Sequence, residues 1–272
     1  MSRLIRSLVA TVALSAAAAA SAQTLSNGSS TLRTGTMNYT VNSGASYSNY
    51  DTGALRLSDG SSTFWAYCID PMTGADFSQS YAQTSLDNYL NGTTTSGYAS
   101  QIGRSGYSGS GLSNASATQA AVLANLKELY TYAYADSLTS AAKSAAFGMA
   151  VWEIMMQDWS AVSTNATYSN TAGKVRSNGN TSSSSDSATD LRQGYLVSYL
   201  NALSNNSWAS IGLTASTWTY TVYYDAVSPF SQTFLSVSGV GSGKVPAPAT
   251  LALVALGLAG VAISRRKKAP QA

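Results

Sequence analysis

Residues 216–224 of the chain are STWTYTVYY, and this stretch decides the fold class. Threonine alternates here with aromatic residues and valine, a pattern that predicts a β-strand with two distinct faces. One face carries Trp218, Tyr220, Val222 and Tyr224. We expect this face to pack in the core. An exposed aromatic surface that binds sugar or another protein is the alternative.

Shorter alternating stretches predict further strands at residues 36–41, 54–57, 62–68 and 232–237. Between them, apolar residues recur at three- and four-residue steps, which predicts helices at residues 122–133, 142–156 and 191–203. Residues 170–186 have no apolar pattern, so we expect a surface loop there. Strands, then helices, then strands indicate an α+β domain, with an antiparallel, barrel-like β-sheet and a helical insertion.

The composition excludes several classes of function. The 272 residues include 15 basic and 12 acidic side chains, one cysteine and no histidine. Six of the basic residues lie at the two ends, so residues 23–244 are slightly acidic, which disfavours nucleic-acid binding. The missing histidine excludes histidine-activated nucleophiles and histidine-ligated zinc. We therefore expect no cofactor, no metal and no enzymatic activity.

The first 22 residues are typical of a secretory signal peptide. Arg3 and Arg6 provide the charged start, an apolar run follows, and Ala20 to Ala22 are the small residues that signal peptidase requires. We expect the Sec translocon and signal peptidase to process residues 1–22 and to leave an exported domain at residues 23–237.

The C-terminal part consists of three segments. A Gly/Ser linker at residues 238–244 leads to a proline-rich box and then to an apolar helix at about residues 249–264. That helix is shorter than the ~20 residues that usually span a bilayer. A basic cluster follows it, and such clusters stay cytoplasmic, so we expect a membrane anchor with the exported domain outside. The cluster is Arg265, Arg266, Lys267 and Lys268.

Residues 245–268 resemble the PEP-CTERM sorting signal of Gram-negative bacteria. The resemblance implies that an exosortase, a membrane transpeptidase, processes the tail near its box. That box is Val245, Pro246, Ala247 and Pro248, with Ala247 where the family most often has glutamate. The implied role is that of a bacterial cell-surface or extracellular-matrix protein, membrane-anchored before processing. We expect non-enzymatic adhesion or matrix assembly, with exopolysaccharide or surface proteins as partners.

Cys68 requires an explanation, because an exported protein seldom keeps a single free cysteine. The simplest interpretation is a small apolar residue buried at the end of a strand. A reactive thiol is an alternative, although no basic residue stands beside Cys68 in the sequence to lower its pKa. An intermolecular disulfide is another.

Residues 64–70 (FWAYCID) and 145–152 (AAFGMAVW) resemble the two hallmark motifs of bacterial surface thioester domains. In those domains a cysteine and a glutamine condense into a thioester that captures a nucleophile. The resemblance implies a thioester-domain-like fold, with Cys68 as the thiol and Gly148 at the glutamine position. Glycine has no carboxamide, so we expect Gly148 to be a packing position against the strand of Tyr67 and Cys68.

A covalent thioester adhesin is the first alternative function. It requires another glutamine beside Cys68, and the sequence offers Gln83, Gln119 or Gln157. A carbohydrate-active hydrolase is the second alternative, for which Asp70 and Glu153 would have to face each other. Our default expectation places Glu153 on the solvent side of its helix and Asp70 in a turn.

Overall fold

A computed structural model of the chain describes residues 23–29, 31–34, 36–41, 45–70, 73–91, 115–156, 175–177, 187–225 and 231–239. The predicted signal peptide and the sorting signal lie outside the described residues, as does Gln157.

The strands are, in chain order, β1 Gln23–Thr24, β2 Ser26–Gly28, β3 Thr36–Val41, β4 Ala45–Asp51, β5 Leu55–Ser58, β6 Thr63–Cys68, β7 Ser80–Ser85, β8 Val175–Ser177, β9 Trp218–Asp225 and β10 Phe234–Gly239. The α-helices are α1 Leu86–Leu90, α2 Ala115–Ser137, α3 Ala141–Met156 and α4 Ser187–Asn205. Short 3-10 helices form at Thr31–Thr34 and Trp208–Ile211.

The main sheet has seven antiparallel strands in the order β1-β7-β9-β10-β6-β5-β2. Its two edge strands, β1 and β2, are separated by Leu25 alone. One short segment therefore pairs with both ends of the sheet and gives it a barrel-like closure. A second sheet has three strands in the order β4-β3-β8. The predicted α+β class, with an antiparallel barrel-like sheet, is confirmed.

Helix α3 is the centre of the helical insertion. It packs against α2 and α4 and also contacts β6, β3, β8 and the Thr31–Thr34 turn. Every side chain from Ser144 to Met155 is buried. A helix that is apolar on all sides is stable only inside a core, which explains why the run AAFGMAVWEIMM shows no polar face.

Strand β9 confirms the interpretation of residues 216–224 as a packed strand. The Trp218 Nε1–H donates to the Tyr130 carbonyl at 2.9 Å, and the Tyr220 hydroxyl donates to the Lys127 carbonyl at 3.2 Å. Both acceptors are on α2, so the aromatic face covers that helix. On the opposite face Tyr223 stacks on Phe64, with ring centroids 4.8 Å apart.

The prediction that residues 170–186 form only a loop is wrong in one place. Val175–Ser177 is strand β8, which pairs with Tyr39, Thr40 and Val41 of β3. Three residues are too few to show an alternating pattern, and β8 depends on pairing with a strand more than 130 residues away. The short strands β1 and β2 escape detection for the same reason.

Candidate functional site

The two segments that resemble thioester motifs pack against each other, β6 against α3. Trp152 on α3 donates its indole N–H to the Cys68 carbonyl oxygen at 2.8 Å. Tyr67, on β6 beside Cys68, packs its ring against Phe147 with centroids 4.6 Å apart. We call this contact between β6 and α3 the junction.

A directed chain of hydrogen bonds crosses the junction. The Tyr67 hydroxyl donates to Ser137 Oγ at 2.8 Å and is hydrogen-bonded to Ser144 Oγ at 2.9 Å. Since the single Tyr67 proton points to Ser137, Ser144 is the donor in the second bond. Ser144 Oγ accepts from the Ala54 N–H at 2.8 Å, and Ser137 donates to the Tyr134 carbonyl at 2.7 Å. The chain ties β6, α2, α3 and the segment before β5 together.

Gly148 lies where α3 touches the backbone before β5. A Cβ atom on Gly148 would overlap the Thr52 carbonyl oxygen, come within 2.9 Å of the Thr52 carbonyl carbon and lie 3.4 Å from the Tyr67 ring. Thr52 is held in place, because its hydroxyl donates to the Ala145 carbonyl at 2.9 Å. Gly148 is thus a packing position. Its tightest neighbour is Thr52, however, and the Tyr67–Cys68 strand expected from the sequence comes second.

Cys68 is buried beside α3. Its thiol donates to the Asp70 carbonyl oxygen at 3.0 Å and its sulfur accepts the Asp70 N–H at 3.3 Å. Burial, and secondarily the charge of Asp70, raise the pKa of the Cys68 thiol well above its usual value. The thiol is therefore protonated at neutral pH, which fits the interpretation of Cys68 as a small buried residue better than that of a reactive thiol.

Gln232 is a glutamine that the structure brings to this cluster. Its side-chain Nε2 donates to the Asp70 carbonyl at 3.4 Å, the same oxygen that accepts the Cys68 thiol. Gln83 lies on β7, three strands from β6 in the sheet, and the Gln119 side chain is outside the described part. Sequence reasoning missed Gln232, because only the strand order brings β10 beside β6.

The carboxylates considered for hydrolysis are both inside the protein. The default expectation for Glu153 is wrong: its side chain is 2% exposed, because packed elements surround α3 on all sides. Asp70 is 1% exposed. Neither residue lines the cleft described next. Within the described ranges, no group of three or more His, Cys, Asp or Glu residues could hold a metal ion.

A cleft of about 550 Å³ opens beside the junction. It is lined by Asn27, Tyr50, Asp51, Gly53, Leu55, Gly74, Ala75, Phe77 and Gln232. Two of its residues connect it to the junction. The Tyr50 ring meets the Trp152 ring edge-on, with centroids 6.2 Å apart, and Gln232 bonds to the Asp70 carbonyl. No sequence motif marked these residues as a site, because they come from separate parts of the chain.

One comparison with known proteins gives a match, and it lies in the tail of the chain. Residues 244–267 match the family model for the PEP-CTERM protein-sorting motif, which confirms the prediction made from the sequence. The chain carries a sorting motif of exosortase substrates, and it is accordingly an exported protein with membrane-anchored sorting before release at the cell surface.

No curated protein and no solved structure gives a significant match to the chain. The resemblance of the exported domain to thioester domains therefore stays a prediction. Among the described residues, no helix is both long and apolar enough to cross a membrane.

Proposed function

We propose that the chain is a non-enzymatic surface or extracellular-matrix protein whose exported domain serves adhesion or matrix assembly. The observation that carries this proposal is the sorting motif at residues 244–267. The domain supports it further, because its candidate acid–base residues Asp70 and Glu153 are buried and its thiol is protonated. The Sec translocon exports the chain, signal peptidase removes residues 1–22, and the proposed helix at about residues 249–264 holds the chain until an exosortase acts.

The sorting step is testable with full-length protein in a host that carries an exosortase and in the same host with the exosortase deleted. We expect the chain to be released to the surface or medium only in the first host. Replacing Pro246 and Pro248 by alanine removes the box and should leave the protein in the membrane fraction. Ala247→Glu, which restores the residue most common in the family, serves as the matched control and should be released at least as well. Equal release from both hosts would contradict the proposal.

A covalent thioester adhesin is the second candidate, and the shared contact of Cys68 and Gln232 with the Asp70 carbonyl favours it. In that reaction the Cys68 sulfur attacks the Gln232 carboxamide carbon. The S–C bond forms, the C–N bond breaks, and ammonia leaves with the thiol proton. Gly148 cannot supply the acyl group, so Gln232 is the described glutamine that could.

Mass spectrometry separates the two candidates. Under the non-enzymatic proposal the purified exported domain has the mass calculated from its own sequence and is unchanged by methylamine. A thioester would make it one ammonia lighter, and methylamine would add to it. The loss would then disappear in Cys68→Ser and Gln232→Glu, while Gln83→Glu would retain it as the matched control.

A further inference from the structure

We propose that the cleft beside the junction binds a neutral polysaccharide segment. This inference deepens the proposed function and rests on it, because it names the partner class of an exported matrix protein. At about 550 Å³ the cleft lies within the ~300–1,000 Å³ typical of sites for small ligands.

The cleft is lined by two aromatic side chains, and each of them packs against a buried aromatic ring. Phe77 is half-buried and stacks nearly parallel on Phe234, with ring centroids 5.9 Å apart. Tyr50 is also half-buried and is braced by Trp152. Aromatic rings provide large apolar faces at low entropic cost, and the C–H faces of hexose rings are suitable partners for them.

The polar groups of the cleft suit hydroxyl-rich ligands. Asn27 and Gln232 line the cleft and carry amides, groups that can both donate and accept, and a carboxylate such as that of Asp51 can accept from a pair of hydroxyls. Asp51 is the one charged side chain among the residues found to line the cleft. With no lysine or arginine there, a polyuronate, a phosphate or a nucleic acid would meet repulsion. The charge therefore favours a neutral glycan.

The wall of the cleft near Gly74 is fixed before any ligand arrives. The Gln232 backbone N–H donates to the Gly74 carbonyl at 3.1 Å. The Asp76 N–H donates to Ser231 Oγ at 2.7 Å, and the Tyr81 hydroxyl donates to the Asp76 carbonyl at 3.2 Å. A site that is rigid in advance loses less entropy on binding.

Gly74 provides a direct way to close the cleft. A Cβ atom built on Gly74 meets nothing within 4 Å, so a side chain can start there without a clash, and we expect the ring of a tryptophan to occupy the open space of the cleft. Gly194 on α4 is equally open and exposed, and it does not line the cleft. Gly74→Trp and Gly194→Trp therefore form a matched pair.

The test is titration calorimetry on the full-length chain, in a detergent without a sugar headgroup. The probes are cellohexaose, maltohexaose and mannohexaose, with hexagalacturonate as the acidic comparison. We expect at least one neutral hexamer to bind saturably. Gly74→Trp should weaken that binding at least about tenfold, and Gly194→Trp should change it less than about twofold. Hexagalacturonate should bind at least about tenfold more weakly than the best neutral hexamer.

Three results would overturn the inference: no saturable binding of any neutral hexamer, equal binding by Gly74→Trp, or equal binding of hexagalacturonate. The sorting experiment is scored separately on the same variants. If binding fails while exosortase-dependent release persists, only the cleft assignment is lost. If release does not depend on the exosortase, the proposed function fails whatever the cleft binds.

Discussion

The junction and the cleft lie side by side and use their polar groups in opposite ways. At the junction, the thiol of Cys68 and the hydroxyl of Tyr67 are buried and their protons are committed to neighbouring oxygens. In the cleft, the amide of Asn27 and the carboxylate of Asp51 belong to exposed residues around an open volume. The segments that resemble a reactive motif thus build the core, and the binding surface comes from residues without any motif.

The largest effect is expected from adding a single carbon at the junction. Gly148→Ala places its methyl group against the Thr52 carbonyl, so α3 and the segment before β5 must separate. We expect a loss of about 4 kcal/mol in the free energy of unfolding, measured with urea. Gly194→Ala, a helical position with open space, should instead gain about 0.5–1 kcal/mol. Equal stability of the two variants would show that the junction is loosely packed.

A smaller effect is expected when the hydrogen-bond chain is interrupted. Tyr67→Phe removes one hydroxyl, so that Ser144 and Ser137 each lose one hydrogen bond inside the core. The expected loss is about 2 kcal/mol in urea unfolding. Tyr132→Phe is the matched control, because the Tyr132 ring stays stacked on Trp208 and is only half-buried. A loss as large for Tyr132→Phe would mean that the hydroxyl chain contributes nothing specific.

The protonated thiol predicts a dependence on pH. Because burial raises the pKa of Cys68 in the folded chain, the unfolded chain loses this proton first, at a pKa of about 8.5. The contribution of this group is complete below that pH and falls as the pH rises, by up to about 1.4 kcal/mol per unit. Between pH 8 and 10 the wild type should thus lose about 1–2 kcal/mol more than Cys68→Ala. Burial also raises the pKa of Tyr67 and Tyr130, but these groups are common to both proteins. Parallel pH profiles would indicate an accessible thiol.

The smallest effect on stability is expected in the cleft, and it distinguishes the cleft from the junction most directly. Gly74→Trp adds a whole indole ring to the cleft, yet we expect the free energy of unfolding to change by less than about 0.5 kcal/mol. We would compare the thermal unfolding of Gly74→Trp and Gly148→Ala. The expected result is that the cleft tolerates an indole ring, whereas the junction does not tolerate one added methyl group. A marked loss of stability in Gly74→Trp would mean that the cleft is part of the core.

The sequence was informative wherever a pattern repeats within one element. The alternation at residues 216–224 and the helical spacing at residues 142–156 predicted β9 and α3. The run around Glu153 also carries a signal against a solvent-exposed glutamate. A helix without a polar face must bury its charged residue as well.

What the sequence could not provide was proximity between distant segments. Thr52 restricts Gly148 from 96 positions away, and Gln232 reaches Asp70 across 162 positions. The contact of Gln232 follows from the strand order, in which β10 lies between β9 and β6, and the contact of Thr52 follows from the packing of α3 against the segment before β5. The cleft likewise joins distant segments, since it is lined by residues of β2, β4 and β5, of the segment after β6 and of the segment before β10.

The position of β10 has a mechanical consequence. This strand is the last described element before the sorting tail, and it is hydrogen-bonded on both sides, to β9 over six residue pairs and to β6 over three. Once the tail is held at the membrane or the cell surface, any force on the exported domain passes into β10 along its length. The ladders on its two sides are then loaded in shear, so that many hydrogen bonds share the load together. A strand at the edge of the sheet could be peeled off one bond at a time, whereas this fold attaches its anchor to the strand that resists pulling.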